Sequence, residues 1–180
     1  HIDENSADRA RLIKIAPTDS FTIIGSHGSI EEAVSAGNGE LASADIVVLG
    51  TVAGSSIEDS ITTLKGLAPV KPVVVLIDRF SLDSLGAAFE AGAMGYLIKS
   101  ISEEALFESI MLVIIGEKVF PAQLADLLVE HTFADTVFFT NSGTEAAELA
   151  IKMVRKHWDH AGDPERIEIL TFSGAFHGRS

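Results

Sequence analysis

The sequence predicts an α/β fold, a parallel sheet covered by helices on both faces. From Phe21 onward, short β-rich runs alternate with longer segments of helical periodicity, the order of a β-α-β chain. The runs are nearly continuous Val, Ile and Leu, as in strands buried on both faces. Of the 180 residues, 47% are hydrophobic and 22% charged, enough apolar surface to bury a core.

Taken in order, strands are predicted at Phe21 to Gly25, Asp45 to Leu49, Pro72 to Ile77 and Gly95 to Ile98. Helices fill the gaps at Ser6 to Ala16, Ser29 to Ala36, Ile57 to Leu67, Leu82 to Ala91 and Glu103 to Ile115, each with apolar residues three and four apart. Ser29 with Glu32 has the spacing of a capping box, and Gly92 and Gly116 suit the positions just past a helix end. Past Gly116, Pro121 can open a short helix through Glu130. Thr136 to Thr140 then reads as a strand, Gly143 to His160 as a long helix and Ile167 to Phe172 as a strand, one further β-α-β unit.

Composition removes several function classes. The formal net charge of −13 repels phosphate backbones and anionic bilayers, so neither nucleic acid nor a membrane is expected as a direct partner. With no cysteine there is no disulfide framework, thiolate zinc site or cysteine nucleophile, and a cytoplasmic location is expected. The longest apolar stretch, Ile110 to Ile115, is far short of the roughly 20 residues of a spanning helix, and the acidic start His1-Ile2-Asp3-Glu4 does not read as a signal peptide. His157 and His160, three apart on a helix, lack a third ligand for a metal and read as a solvated face. Gly25-Ser-His-Gly-Ser29 lacks the full glycine fingerprint of a dinucleotide loop and reads as a strand-to-helix turn.

Val73-Val-Val-Leu-Ile-Asp-Arg-Phe80, Ala88-Phe-Glu-Ala-Gly-Ala-Met-Gly-Tyr-Leu-Ile-Lys99 and Gly116-Glu-Lys-Val-Phe-Pro121 carry a specific resemblance. Over residues 1–121 the chain resembles the receiver domain of two-component response regulators, closest to receivers that precede a LuxR-type DNA-binding element. The resemblance implies a flavodoxin-like (CheY-like) three-layer sheet. It also implies an acidic pair holding Mg²⁺, a phosphate-accepting aspartate ending the third strand, a hydroxyl residue ending the fourth and a lysine ending the fifth.

The match at this site is partial. Asp3 and Glu4 stand where the acidic pair belongs and Lys99 where the lysine belongs. Gly50 stands in the acceptor position and Ile77 in that of the hydroxyl residue. Phosphoryl transfer to an aspartyl group needs a carboxylate nucleophile beside a metal, so no acceptor is expected at position 50. Asp45 begins its strand, away from the carboxyl edge where open parallel sheets bind ligands; Asp78 lies nearer, on the neighbouring strand. Asp3 and Glu4 alone make a weak Mg²⁺ site, and a strand-end lysine also serves as half of an ion pair. Only His1 and Ile2 precede Asp3, so the central first strand of the 2-1-3-4-5 sheet is expected to be truncated. One of the later apolar runs, Ile167 to Phe172 above all, would complete or extend the sheet.

Residues from about Leu124 to Ser180 resemble a different family. The stretch Leu127-Leu-Val-Glu-His-Thr-Phe-Ala-Asp-Thr-Val-Phe-Phe-Thr-Asn-Ser-Gly-Thr-Glu-Ala146 and the stretch Ile169-Leu-Thr-Phe-Ser-Gly-Ala-Phe-His-Gly-Arg179 are similar to class III pyridoxal-phosphate aminotransferases of the acetylornithine type. The resemblance implies that Ser142, Gly143 and Thr144 cradle the cofactor phosphate and that Phe176 stacks on the pyridine ring. A helix N-terminus with unpaired N–H groups suits an anion, although Ser142 with Glu145 is equally a capping box. The family's Schiff-base lysine matches neither Lys152 nor Lys156.

Two domains are therefore expected, residues 1–121 receiver-like and 122–180 an aminotransferase fragment, together a chimera. The expected function is a receiver-like signalling module, not an enzyme, acting through a protein partner or self-association. It would require no cofactor, with weak Mg²⁺ and pyridoxal phosphate or phosphate as candidate ligands. The alternative is a remnant aminotransferase that keeps its phosphate turn.

Overall fold

The computed structural model describes residues 1–16, 21–36, 39–67, 71–140 and 142–177. The chain divides into two compact units, His1–His131 and Thr132–Ser180. In the first, helices α1 (Ser6–Ile15), α2 (Ile30–Ser35) and α3 (Glu40–Ser43) precede strand β1 (Val47–Leu49). Then follow α4 (Ile57–Leu67), β2 (Val73–Ile77), α5 (Leu82–Glu90), β3 (Gly95–Ile98), α6 (Glu103–Ile114) and α7 (Ala122–His131). Among the described residues the sheet runs β1-β2-β3, all parallel. Val48 stands opposite Val74, and Val75 opposite Tyr96.

All five residues of β2 are buried, which is why the sequence there is Val-Val-Val-Leu-Ile with no polar alternation. One core packs Ile2, Ala33, Leu49, Ile61, Leu64, Val73, Val75, Leu85, Ala88 and Tyr96 on one face. The other joins Leu12, Val48, Val74, Leu76, Leu97, Leu106, Ile110 and Val113. Alternate strand residues thus enter opposite cores, and helices supply Ile61 and Leu64 of α4 on one side and Leu106, Ile110 and Val113 of α6 on the other, at helical spacing. Side-chain caps start the helices: the hydroxyls of Ser29, Ser81 and Ser102 accept from the amides of Glu32, Ser84 and Ala105, each cap worth about 1 kcal/mol. Gly92 and Gly116, with φ of 97° and 99°, end α5 and α6 in the left-handed region.

The central slot is held by the start of the chain. Ile2 bridges in parallel to both His27 and Leu49. Its N–H donates to Val48 O at 2.9 Å, Gly50 N–H donates to Ile2 O at 2.7 Å, and Asp3 N–H donates to His27 O at 3.0 Å. Ile2 is buried. The expected strand Phe21 to Gly25 carries no ladder of its own, because its neighbour is this short stub and a strand exists through its partner's hydrogen bonds. The helix Glu40–Ser43 is an addition to the elements read from the sequence.

Helix α7 lies in the first unit, so the division falls a ten-residue helix beyond the boundary at 121 read from the family motifs. The second unit contains α8 (Gly143–His160). Neither Thr136 to Thr140 nor Ile167 to Phe172 is a strand. This corrects the expectation of a further β-α-β unit and of its last run in the central slot. Ile2 occupies the carboxyl end of that slot, and in the second run Leu170 is 92% exposed and Phe172 76%, where no ladder holds them extended.

Candidate functional site

At the carboxyl edge of the sheet, the end of β3 brings Lys99 inward, its N–H donating to Ile77 O at 2.7 Å. The ammonium reaches Asp8 Oδ2 at 2.7 Å, Asp3 Oδ2 at 2.9 Å and Asp78 Oδ2 at 3.6 Å. Asp3 has no solvent exposure and Lys99 is only 10% exposed, so the pair is a buried one, with Asp3 Oδ1 also accepting from Asn5 N–H at 2.9 Å. Burial alone would lower the pKa of Lys99; hydrogen bonds and attraction from Asp8 and Asp3 reverse this and hold it above the ordinary lysine value. Arg11 closes the rim by donating to Lys99 O at 2.7 Å.

Gly50 lies against Asp3: a Cβ built on it would overlap the Asp3 carboxylate. The space of a side chain at the acceptor position is therefore filled by Asp3 itself. Ile77, in the hydroxyl position, is buried in the core with Val75 and Leu85. Glu4 does not join Asp3: it is exposed, its N–H donates to Thr51 O at 2.7 Å, and its carboxylate makes no ion pair among the described residues. Among those residues no group of three or more acidic or histidine side chains is placed to hold a metal ion, and Asp3 faces an ammonium where Mg²⁺ was expected. Sequence reading missed Asp8. It sits in the first turn of α1 and meets Lys99 across 91 positions, a contact without local signal. Asp78, just past β2, was legible from the strand-end rule.

In the second unit, Ser142 caps α8, its hydroxyl accepting from Glu145 N–H at 3.2 Å. Thr140 Oγ1 donates to Ser142 O at 3.2 Å, holding the turn before the helix. The Phe176 ring lies over the helix start, its Cε1 at 3.4 Å from where a Gly143 Cβ would be. The N–H groups of Gly143 and Thr144 make no backbone hydrogen bond among the described residues, leaving donors at the positive end of an 18-residue helix. The sequence-predicted set Ser142, Gly143, Thr144 and Phe176 is thus brought together. Asn141, Gly178 and Arg179 of the two motifs lie outside the described residues.

His157 and His160 are exposed, and His157 meets Trp158 edge-on with ring centroids 5.2 Å apart. In the Gly25 to Ser29 turn, His27 Nε2 lies 2.7 Å from Glu40 Oε2. No described helix is long and apolar enough to cross a membrane.

Comparison with known proteins separates the two parts. Residues 96–180 match the family Aminotransferase class-III, a range that opens within β3, upstream of the motifs. The chain is 57% identical over 102 residues to acetylornithine aminotransferase of Rhodobacter capsulatus, covering 53% of this chain and 25% of that protein. It is 61% identical over 62 residues to the Brucella suis acetylornithine aminotransferase, covering 33% and 15%. The chain therefore spans a quarter or less of the length of these relatives. Among solved structures, a LuxR-family two-component response regulator from Aurantimonas superposes with a TM-score of 0.61 at 22% identity, over 72% of this chain and 92% of that one. At that identity the likeness shows the fold.

The expectation that the chain is no enzyme is corrected by the aminotransferase matches: a third to a half of it is homologous to an enzyme. The chain joins a CheY-like receiver fold to a segment similar to class III aminotransferases of the acetylornithine type.

Proposed function

We propose that the second unit carries the cofactor-phosphate cradle of an acetylornithine-type aminotransferase, and that the activity to seek is transfer of an amino group through pyridoxal phosphate. The observation that supports this is the assembly of Ser142, Gly143, Thr144 and Phe176 at one helix start, within a segment so similar to those enzymes. The residues fit the group. Backbone donors at the positive helix end suit an anion, and an aromatic ring stands beside them to cover a planar ligand. Pyridoxal phosphate would supply an electron sink for the bond next to the amino group; Ser142 to Thr144 would hold its phosphate and Phe176 its ring.

The test is calorimetric titration of the 180-residue chain with pyridoxal phosphate and, separately, with inorganic phosphate. Saturable binding that phosphate competes away, weakened by Thr144→Ala and by Phe176→Ala, is the expected result. Binding that ignores phosphate, or that both variants leave unchanged, refutes the reading.

For the first unit, the overlap between a Gly50 side chain and Asp3 supports a second reading. This receiver-like fold works through protein contacts and takes no phosphoryl group at position 50, where there is no carboxylate. Incubation with acetyl phosphate and Mg²⁺ should leave the intact mass unchanged, whereas an acid-stable, hydroxylamine-labile gain of one phosphoryl group overturns it.

A further inference from the structure

The turn that carries Phe176 closes on one atom, the carbonyl oxygen of Phe172. Ala175 N–H donates to it at 3.1 Å, and His177 Nε2 lies 3.1 Å from it. A carbonyl oxygen only accepts, so the imidazole is the donor and its proton sits on Nε2. Gly174, with φ of 81°, supplies positive φ at the third residue of the turn, where type II geometry calls for glycine. Phe176 stands between the two clasped residues, Ala175 and His177, and takes its direction from both. Its ring lies against the start of α8, with Cδ1, Cε1 and Cζ between 3.4 and 3.9 Å from where a Gly143 Cβ would be. Burial does not hold the ring there, for Phe176 is 67% exposed and Phe172 76%. A ring with so little packing keeps one place through the hydrogen bonds of its backbone turn, and His177 supplies the side-chain member of that set.

We propose that His177 is a positioning residue of the site at α8: by holding Phe172 O it sets the Phe176 ring over the helix start. This rests on the reading of Ser142 to Thr144 as a phosphate cradle, and it adds selectivity to that cradle. The amides at the helix start attract any phosphate, whereas a fixed aromatic face rewards a phosphate joined to a planar ring. His177 acts through Phe176 and needs no contact with the ligand. The site therefore takes a phosphorylated aromatic compound in preference to phosphate alone, and the preference depends on the imidazole.

Two readouts on the full chain test it. The first needs no ligand: a nuclear Overhauser contact between the Phe176 ring protons and the Gly143 α-protons should be present in the parent and lost in His177→Ala. It should return in His177→Gln, whose side-chain amide reaches the place of Nε2. Slow exchange of the Glu145 amide, capped by Ser142, verifies that α8 is intact in each variant. The second readout is calorimetry with two ligands. His177→Ala should weaken pyridoxal phosphate about fivefold, the share of one ring contact, and leave inorganic phosphate unchanged, whereas a merely structural role would weaken both. The proposal is overturned if the Overhauser contact survives in His177→Ala, or if the two ligands lose affinity alike. If the parent binds neither ligand, the cradle reading falls and the Overhauser contact alone decides whether His177 positions the ring.

Discussion

Replacing Lys99 by methionine isolates what the buried charge cluster contributes. Methionine keeps most of the stem volume, so the change deletes the ammonium 2.9 Å from Asp3 and 2.7 Å from Asp8 with little loss of packing. Asp78, 69% exposed and 3.6 Å away, contributes little because solvent screens it. Asp3 is the costly member: fully buried, it is left with one backbone donor. Removing one partner of such a pair costs about 3–5 kcal/mol, and the lower end applies because Asp8 is a quarter exposed. With a urea slope of about 1.5 kcal/mol/M, a 3 kcal/mol loss moves the midpoint by about 2 M. The chain has one tyrosine and one tryptophan. Tyr96 lies in the first unit and Trp158 in the second, so the Tyr96 near-ultraviolet band reports this unfolding separately. Adding Asp3→Asn should recover about 2 kcal/mol, since the orphaned charge is then gone. A midpoint shift below about 0.5 M for the single variant, or no recovery in the double, would refute the claim that the cluster is buried and coupled.

Three further outcomes follow from the same geometry. Gly50→Asp forces a side chain into the Asp3 carboxylate, and thermal denaturation should show a loss of about 2 kcal/mol or more, relieved when Asp3→Ala is added; an unchanged melting temperature contradicts the overlap. Ser142→Ala removes the acceptor for Glu145 N–H and should cost α8 about 1 kcal/mol, seen as faster exchange of that amide while β2 is unaffected. At high pH two groups act together. Burial raises the pKa of Tyr96 against the opposing effect of its hydrogen bonds with Ser84 and Ser81, and that of Lys99 is raised as well. A raised folded-state pKa gives stability that is complete below the unfolded value, about 10 for both groups, and is lost as pH rises through the folded value. Urea midpoints should therefore fall above about pH 10, a fall that Lys99→Met diminishes.

The strands that survive in the structure are those whose burial the sequence wrote twice, as apolar runs and as neighbours on both sides. Val73 to Ile77 and Gly95 to Ile98 are such runs; the second has the bounds of the sequence reading, and the first begins one residue after the expected Pro72. Phe21 to Gly25, Thr136 to Thr140 and Ile167 to Phe172 have the same composition without a ladder, and composition cannot report the missing partner. Helices fared better because capping and periodicity are local: Ile57–Leu67 and Gly143–His160 match residue for residue. At the sites, motif register delivered Ser142, Gly143, Thr144 and Phe176 to one place. The pairing of Asp3 with Glu4 failed, because adjacent residues of an extended segment point to opposite sides: Asp3 is buried and Glu4 exposed.

The two sites present opposite fields to the same kind of ligand. Around Lys99, three aspartates face one ammonium, a formal charge of −2 in a pocket whose acceptor position is already filled by a carboxylate. Each uncompensated negative charge within about 4 Å opposes a phosphate charge by about 4 kcal/mol at an effective dielectric of 20. Gaining a phosphate there would require the Lys99 ammonium to leave Asp3, whose burial makes that exchange unfavourable. The start of α8 has no acidic residue in its first turn except Glu145, and its free amides add about half a positive charge. Inorganic phosphate should accordingly shift the amide resonances of Gly143 and Thr144 and leave those of Asp3 and Lys99 in place. The reverse pattern would mean that the carboxylate cluster opens in solution, and with it the reasoning that assigns the anion to the second unit would fall.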